Sequence, residues 1–148
     1  MRLNPEDAAA KMAKLGHATT ENIQELYEII FAPWVKQQKL DFLEIEEGWV
    51  RARLRQDPEQ QFFSGAMCGQ SLMSAIDTVM SITIFTYPRP SKGTTSQNNQ
   101  FLRAAAGEDL IIDCKVLKMG KGEAYGETRV TLEGSGKLVA HSTSTYAY

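Results

Sequence analysis

Asp77 is the residue best suited to chemistry, because it is the only formal charge between Glu59 and Arg89. From residue 67 to residue 87, nearly every position around it carries an apolar or small side chain. This pattern predicts a helix that the rest of the protein covers on most sides. A carboxylate in such a setting loses favourable hydration unless something pairs with it, so Asp77 is a candidate base.

Two structural interpretations of Asp77 stand beside the functional one. The residue could lie on the one exposed stripe of the helix, or neighbouring hydroxyl groups could satisfy its carboxylate. The hydroxyls nearest in sequence belong to Ser74, Thr78 and Ser81.

Length, charge and cysteine content limit the classes of protein to consider. The 148 residues are enough for one domain with a proper core. The 16 basic and 18 acidic residues are mixed along the chain and give a net charge of −2, without the basic stripe of a nucleic-acid-binding protein. Two cysteines, Cys68 and Cys114, are too few for a disulfide framework or a metal site, and they suit a reducing compartment. We therefore expect no metal and no redox cofactor.

The first residues and the apolar runs of the sequence indicate where in the cell the protein is located. Residues 1–7 have neither the apolar core nor the cleavage site of a signal peptide. No uninterrupted apolar run reaches the ~18 residues of a membrane span. The sequence therefore predicts a cytoplasmic protein without a membrane or nucleic-acid partner.

Two short helices are predicted at the start of the chain. Asn4 is suited to cap the first helix, with a proline and two acidic residues directly after it, and Gly16 should end it. The second helix should begin near Thr19 or Thr20 and end before Pro33, since apolar residues between them recur at helical spacing.

Strands are predicted on both sides of the apolar helix. Residues 40–46 and 49–55 alternate about a turn at Glu47 and Gly48, as in a hairpin with one face in solvent. In its second strand, Val50, Ala52 and Leu54 should face the core, and the arginines between them should face solvent. After Gly93, glycine-containing turns separate runs that are typical of four antiparallel strands.

The predicted order is a helical leader, a hairpin, one buried helix and four strands. We take residues 1–31 as an N-terminal helical leader packed on a domain of residues 32–148. One long central helix wrapped by an antiparallel sheet is an α+β fold.

This order and several local motifs resemble the hot dog fold, and within it the PaaI-like acyl-CoA thioesterases. In that family His-Gly-Gly opens the central helix, and an acidic residue follows seven positions after the last glycine. Here Cys68-Gly69-Gln70 stands in place of His-Gly-Gly, and Asp77 occupies the acidic position. Three later segments are also similar to family motifs: residues 94–103, residues 107–110, and Gly120 with Lys121.

The resemblance implies hydrolysis of an acyl-CoA thioester to a free acid and CoA by a homodimer, or by a dimer of dimers. Asp77 would be the general base or nucleophile, and Thr94 would position the acid or the water. The backbone N–H of Gly69, at the helix N-terminus, would hold the oxyanion. Eight residues of helix span about 12 Å, so Gly69 and Asp77 of one chain cannot serve one carbonyl. Antiparallel pairing of two central helices would place Gly69 of one protomer opposite Asp77 of its partner.

Each further candidate at the helix start has a structural alternative. Gln70 could donate to the thioester carbonyl or bond within the first turn. Cys68 could be a thiol nucleophile activated by the helix dipole. Neither His17 nor His141 lies at a motif position beside it, which favours a small apolar residue in place of the family histidine. Thr94 could reflect β-propensity alone.

Coenzyme A carries phosphates, so basic residues are needed at the rim of the site. Arg103 and Lys121 lie in the family motifs, and Arg89 follows the central helix. The alternative is that all three belong to solvated surfaces, as charged residues at strand ends and turns usually do.

Two other functions remain open. The first is an acyl-thioester dehydratase or hydratase of the same fold, which pairs a histidine with an acid; the absence of histidine at position 68 argues against it. The second is a non-catalytic acyl-CoA-binding protein, which the replacements at positions 68 and 70 would suit.

Overall fold

A computed structural model describes residues 2–148. Its helices are α1 (Pro5–Leu15), α2 (Ile23–Ile30) and α3 (Gly69–Ile84), with short 3-10 turns at Val35–Gln37 and Pro58–Gln60. Its strands are β1 (Leu40–Glu46), β2 (Trp49–Leu54), β3 (Gly93–Phe101), β4 (Leu110–Met119), β5 (Glu123–Leu132) and β6 (Leu138–Ala147). The six strands form one antiparallel sheet in the order β1-β2-β4-β5-β6-β3, around the long helix α3. The predicted hot dog architecture is confirmed.

Residues in the local sequence determine the β1–β2 hairpin and the first helix, as predicted. The Asn4 side chain accepts from the N–H of Asp7 at 2.9 Å, and α1 ends before Gly16, as predicted. The β1–β2 turn places Gly48 at φ +78°, a left-handed conformation that glycine adopts without strain. The inward side chains of β2 are fully buried, and its outward Arg51 and Arg53 pair with Asp113 and Glu133 at 2.8 and 2.6 Å.

Two predicted helix boundaries are wrong. Helix α2 begins at Ile23 rather than near Thr19, because the Asn22 side chain accepts from the N–H of Thr19 and holds the preceding residues in a turn. The central helix covers Gly69–Ile84 rather than residues 67–87. Met67 forms an isolated bridge with Gln61 before the helix, and a turn follows Ile84 ahead of the prolines.

The core lies between α3 and the inward faces of the strands. Ile76, Val79 and Met80 of α3 are fully buried. Gly126 on β5 lies directly against the Met80 thioether, so that any side chain there would overlap it. Helix α2 adds Ile23, Leu26 and Tyr27 to the buried residues, which joins the leader to the main body of the protein.

One stripe of α3 is not covered by the sheet. Residues Gln70, Met73, Ser74, Asp77 and Ser81, which recur at helical spacing, are exposed or half-buried while their neighbours are buried. This stripe lies beside β3, the edge strand, where the Gln97 amide donates to the Met73 carbonyl at 3.2 Å. The fold therefore presents Asp77 on an accessible line along an otherwise buried helix.

Candidate active site

Two hydroxyl groups hold the carboxylate of Asp77 through the same oxygen. Thr94 at the start of β3 donates to Oδ1 at 2.7 Å. Tyr146 near the end of β6 donates to the same atom at 2.9 Å. Within residues 2–148 no hydrogen bond or ion pair engages Oδ2. This oxygen is therefore available to contact a bound molecule.

Tyr146 is an inward-facing residue that no sequence motif indicated. Its side chain is 1% exposed, and its hydroxyl also lies 3.3 Å from Ser81 Oγ. Burial, and then the charge of Asp77, raise the pKa of Tyr146 well above its usual range. The phenol consequently remains protonated and can keep donating to Asp77. Strand alternation in β6 was the available signal, because a tyrosine that points into a core needs a partner for its hydroxyl.

Both structural interpretations of Asp77 are confirmed in part. Asp77 does lie on the open stripe, but it is half-buried rather than free in solvent. Its hydrogen-bond donors are Thr94 and Tyr146, from the sheet, and not the nearby helix hydroxyls. Thr78 instead bonds the Ser74 carbonyl within the helix at 2.8 Å. The sheet, and not the helix itself, determines the orientation of the carboxylate.

The N-terminus of α3 offers unpaired backbone donors. The first bond into the helix runs from the Leu72 N–H to the Cys68 carbonyl at 3.0 Å. In the part of the chain that the structure describes, the N–H groups of Gly69 and Gln70 have no backbone acceptor, as is usual in a first helical turn. A side chain on Gly69 would point to the ring of Phe101, because a Cβ at that position would lie 3.7 Å from the nearest ring atom.

The side chains of Cys68 and Gln70, on either side of Gly69, form no hydrogen bond within residues 2–148. Cys68 is a half-buried free thiol whose backbone N–H donates to the Gln60 carbonyl at 2.9 Å. The side chain of Gln70 is exposed. Of the two histidines, His141 lies on β6 and pairs with Glu127 at 3.4 Å. As far as residues 2–148 are described, no hydrogen bond joins either histidine side chain to Cys68.

Gly69 and Asp77 lie on one unbroken helix. Their separation of eight residues corresponds to about 12 Å along the axis. Both lie on the side of α3 that follows β3, since Asp77 bonds Thr94 near one end of that strand and Gly69 faces Phe101 at the other. A carbonyl group held at one of these positions in a single chain cannot reach the other.

The three basic candidates lie at two ends of the sheet. Arg89 donates to the carbonyls of Gly120 and Lys121, and its guanidinium lies 4.3 Å from the centre of the Tyr148 ring. This places Arg89 and Lys121 at the β4–β5 turn. Arg103 follows the far end of β3, where its N–H bonds the Val139 carbonyl. These basic residues do not form one cluster within a single chain.

Large apolar side chains are exposed near the N-terminal half of α3. Met73 is 41% exposed, and Phe101 and Leu102 at the end of β3 are 47% and 56% exposed. Phe62 and Phe63 of the preceding loop are also exposed, whereas Met67 and Met80 are in the core. Exposed apolar groups of this size around a helix are typical of a surface that another molecule covers.

Residues 2–148 contain neither a membrane-spanning helix nor a cluster of metal-binding side chains. None of the helices found in residues 2–148 combines the length and the apolar character needed to cross a membrane. The same part of the chain holds no group of three His, Cys, Asp or Glu side chains placed to bind a metal ion.

Comparison with known proteins finds similar sequences and similar solved structures. No protein-family profile matches the chain. Human acyl-coenzyme A thioesterase 13 is 25% identical over 109 residues, which cover 72% of this chain and 78% of that protein. Zebrafish thioesterase superfamily member 2 superposes with a TM-score of 0.79 at 22% identity, over 88% of this chain and 98% of that one.

Two bacterial structures extend the comparison. The PaaI protein of the E. coli phenylacetic acid degradation operon has a TM-score of 0.73 at 18% identity, over 86% of this chain and 95% of that one. A Streptococcus mutans protein bound to acetyl CoA has a TM-score of 0.70 at 18% identity, over 75% and 90% of the two chains. The chain therefore has the hot dog fold, and its predicted resemblance to PaaI-like thioesterases is confirmed.

Proposed function

We propose that this protein hydrolyses an acyl-CoA thioester to a free acid and CoA. The observation that carries the proposal is the carboxylate of Asp77, fixed through Oδ1 by Thr94 and Tyr146 while Oδ2 faces no partner in the described residues. A carboxylate oriented by two donors, on the accessible stripe of an apolar helix, is suited to take a proton from water. The thioesterase names of its sequence relatives and structural neighbours support this reaction class.

Asp77 acts as the base in the principal form of the reaction. Its Oδ2 accepts a proton as the oxygen of a water molecule bonds to the thioester carbon. The carbon–sulfur bond then breaks, and the proton passes to the departing thiolate of CoA. In the alternative form, Asp77 attacks the carbonyl itself and water hydrolyses the resulting anhydride. Hydrolysis in ¹⁸O-labelled water under single-turnover conditions tests for the second form, because label enters the Asp77 carboxylate only when water attacks the aspartyl carbon of that anhydride.

Gly69 supplies the second half of the site. Its free N–H, at the positive end of the α3 dipole, stabilises the oxyanion that develops on the carbonyl. Gln70 donates at the same point. Because about 12 Å of helix separates Gly69 from Asp77, the Gly69 that completes a site belongs to a second protomer. A two-fold dimer creates two such sites reciprocally, in a homodimer or in a dimer of dimers.

Coenzyme A binds along the rim of this interface. Arg103 and Lys121 have exposed side chains that suit its phosphates, whereas Arg89 is occupied in holding the β4–β5 turn. Their separation within one chain is consistent with a CoA that touches both protomers. The free cysteines of the chain suit a cytoplasmic enzyme.

A non-catalytic acyl-CoA-binding protein is the second candidate. The observation that favours it is the absence of a hydrogen bond between either histidine side chain and Cys68 or Asp77 within the residues that the structure describes. Such a protein would bind CoA esters without releasing thiol.

Thiol release from a panel of acyl-CoAs tests the proposed function, with Asp77→Asn as the decisive variant. We expect Asp77→Asn and Asp77→Ala to lower kcat by about 10²–10⁴-fold, the usual contribution of a general base. Both variants should fold, because Asp77 is only half-buried and sits at the edge of the core. Wild-type turnover in either folded variant would remove Asp77 from the mechanism.

A further inference from the structure

A small cavity begins one helical turn beyond Asp77. Its volume is about 240 Å³, and it lies between the end of α2, the second half of α3 and the start of β3. Ser81 and Tyr146 form part of its wall, and both belong to the hydrogen-bond network of Asp77. Larger cavities of about 460 and 640 Å³ are lined by the two N-terminal helices and their flanking residues. The smaller cavity is the one that shares wall residues with the hydrogen-bond network of the candidate base.

The wall of this cavity is suited to an apolar occupant. Ile30, Phe31 and Phe85 supply its apolar side chains. Its hydroxyl groups are already satisfied within the protein, since Ser81 bonds Tyr146. Ser91 donates to the Ala147 carbonyl at 3.2 Å and accepts from the Gly93 N–H at 3.1 Å. The exposed Lys92 also belongs to the lining and can pair with an anionic group, but the rest of the wall offers a polar ligand few free partners, and an apolar group would displace water there at little cost.

The position and the volume of the cavity indicate which apolar group it could hold. Ser81 follows Asp77 by one turn on the open stripe, on the side away from Gly69. A thioester carbonyl at Asp77 would therefore extend one of its two substituents into the cavity. The volume of about 240 Å³ is below the ~300–1,000 Å³ usual for drug-sized ligands, which suits an acyl group rather than the much larger CoA.

We propose that this cavity, the acyl pocket, holds the acyl group of the thioester and selects short or medium chains or a single aromatic ring. The proposal rests on the proposed function, because it assumes that Asp77 attacks or activates water at the thioester. We expect Phe31, a large aromatic residue of the pocket wall, to limit the length of the acyl group. Its ring is held 5.4 Å from that of Tyr27, and it lies directly after α2, so the N-terminal leader sets substrate length.

Substitutions of opposite size at position 31 test the acyl pocket. Thiol release is measured for acetyl-, butyryl-, hexanoyl-, octanoyl-, dodecanoyl- and phenylacetyl-CoA. We expect Phe31→Ala to shift the best substrate to a longer chain and to raise the ratio of kcat/KM for octanoyl- over butyryl-CoA by about tenfold or more. Phe31→Trp should shift the best substrate to a shorter chain. Phe31→Leu provides a smaller enlargement if the alanine variant fails to fold.

Ile29→Ala is the matched control. Ile29 lies on the same helix and is half-buried, but it lines the cavities beside α1 and not the acyl pocket. It should therefore keep the wild-type chain-length profile. If the wild-type enzyme hydrolyses acyl-CoAs, and folded Phe31→Leu and Phe31→Trp variants both keep that profile, the acyl pocket is wrong and the proposed function stands. If the wild-type protein hydrolyses none of the esters, the proposed function fails and the acyl pocket fails with it.

Discussion

At the scale of single residues, the candidate site depends on which carboxylate oxygen of Asp77 accepts hydrogen bonds from the protein. Thr94 and Tyr146 both donate to Oδ1, from strands at the same edge of the sheet. Two donors on one oxygen fix the plane of the carboxylate and direct the other oxygen to the substrate. Because burial keeps Tyr146 protonated, its phenol remains a hydrogen-bond donor to Asp77.

Tyr146→Phe tests the positioning role of this hydroxyl. We expect kcat to fall about tenfold to hundredfold with a smaller change in KM, because the base loses one of its two constraints. Tyr125→Phe is the control, as it removes a hydroxyl that bonds Glu123 on the surface. An unchanged kcat in folded Tyr146→Phe would contradict the role.

The residues of the site differ in how far the sequence could predict them. Asp77 stands out because its whole neighbourhood lacks charge, and Gly69 and Thr94 follow from motifs of the family that the chain resembles. Tyr146 is 69 positions from Asp77, and only the register of β6 against β3 brings the two together. Arg103 and Arg89 lie at opposite ends of the sheet because of the same register between β6 and β3. No local sequence pattern encodes that register.

At the scale of elements, the site depends on how closely α3 approaches the sheet. The hairpin, α1 and the four final strands were predictable, because alternation and capping residues act locally. The start of α2 was not, since one side chain, Asn22, holds the turn before it. An exposed stripe on α3 was one interpretation of the sequence, but its position was not predictable, because it results from the end of the sheet at β3.

Gly126→Val tests the close approach of helix and sheet. A branched side chain at this position of β5 would displace the Met80 thioether from the core. We expect the free energy of unfolding, from urea denaturation, to fall by about 1–3 kcal/mol, as is usual for overpacking. Gly122→Ala is the control, because a Cβ there meets no atom within 4 Å among the described residues, and it should change stability by less than about 0.5 kcal/mol. Equal stabilities of the two variants would contradict this packing of β5 against α3.

At the scale of the whole molecule, a single chain leaves both the site and an apolar surface incomplete. Asp77 and Gly69 face outward at points about 12 Å apart on one helix. Met73, Phe101 and Leu102 are exposed on the same side. A second copy in antiparallel orientation would cover these side chains and complete two sites at once, which is why we place the function in a dimer.

Alkaline pH should destabilise the folded protein, and two of the buried groups that contribute are Cys114 and Tyr27. Burial raises the pKa of Cys114 to about 12, and burial with a contribution from Glu28 raises the pKa of Tyr27 to about 12. Their ordinary values are 9.0 and 10.0, so the unfolded chain loses these protons first as the pH rises. Between pH ~9 and ~12 the free energy of unfolding should therefore fall, by up to about 1.4 kcal/mol per pH unit for each group.

Urea denaturation across this pH range measures the effect. Cys114→Ala removes one of the two groups, so its stability should fall less steeply with pH than that of the wild type. A free energy of unfolding that rises as the pH increases above ~9 would contradict the assignment.

Mixing two inactive variants tests the shared active site most directly. Gly69→Val blocks the approach of the carbonyl to the helix start, and Asp77→Ala removes the base, so each homodimer should be inactive. Random pairing makes about half of all dimers mixed, and each mixed dimer holds one site with both lesions and one with neither. We predict that co-expressed chains recover roughly a quarter of the wild-type thioesterase activity. If both parents are inactive, the subunits are shown to mix and no activity returns, the two-chain site is wrong.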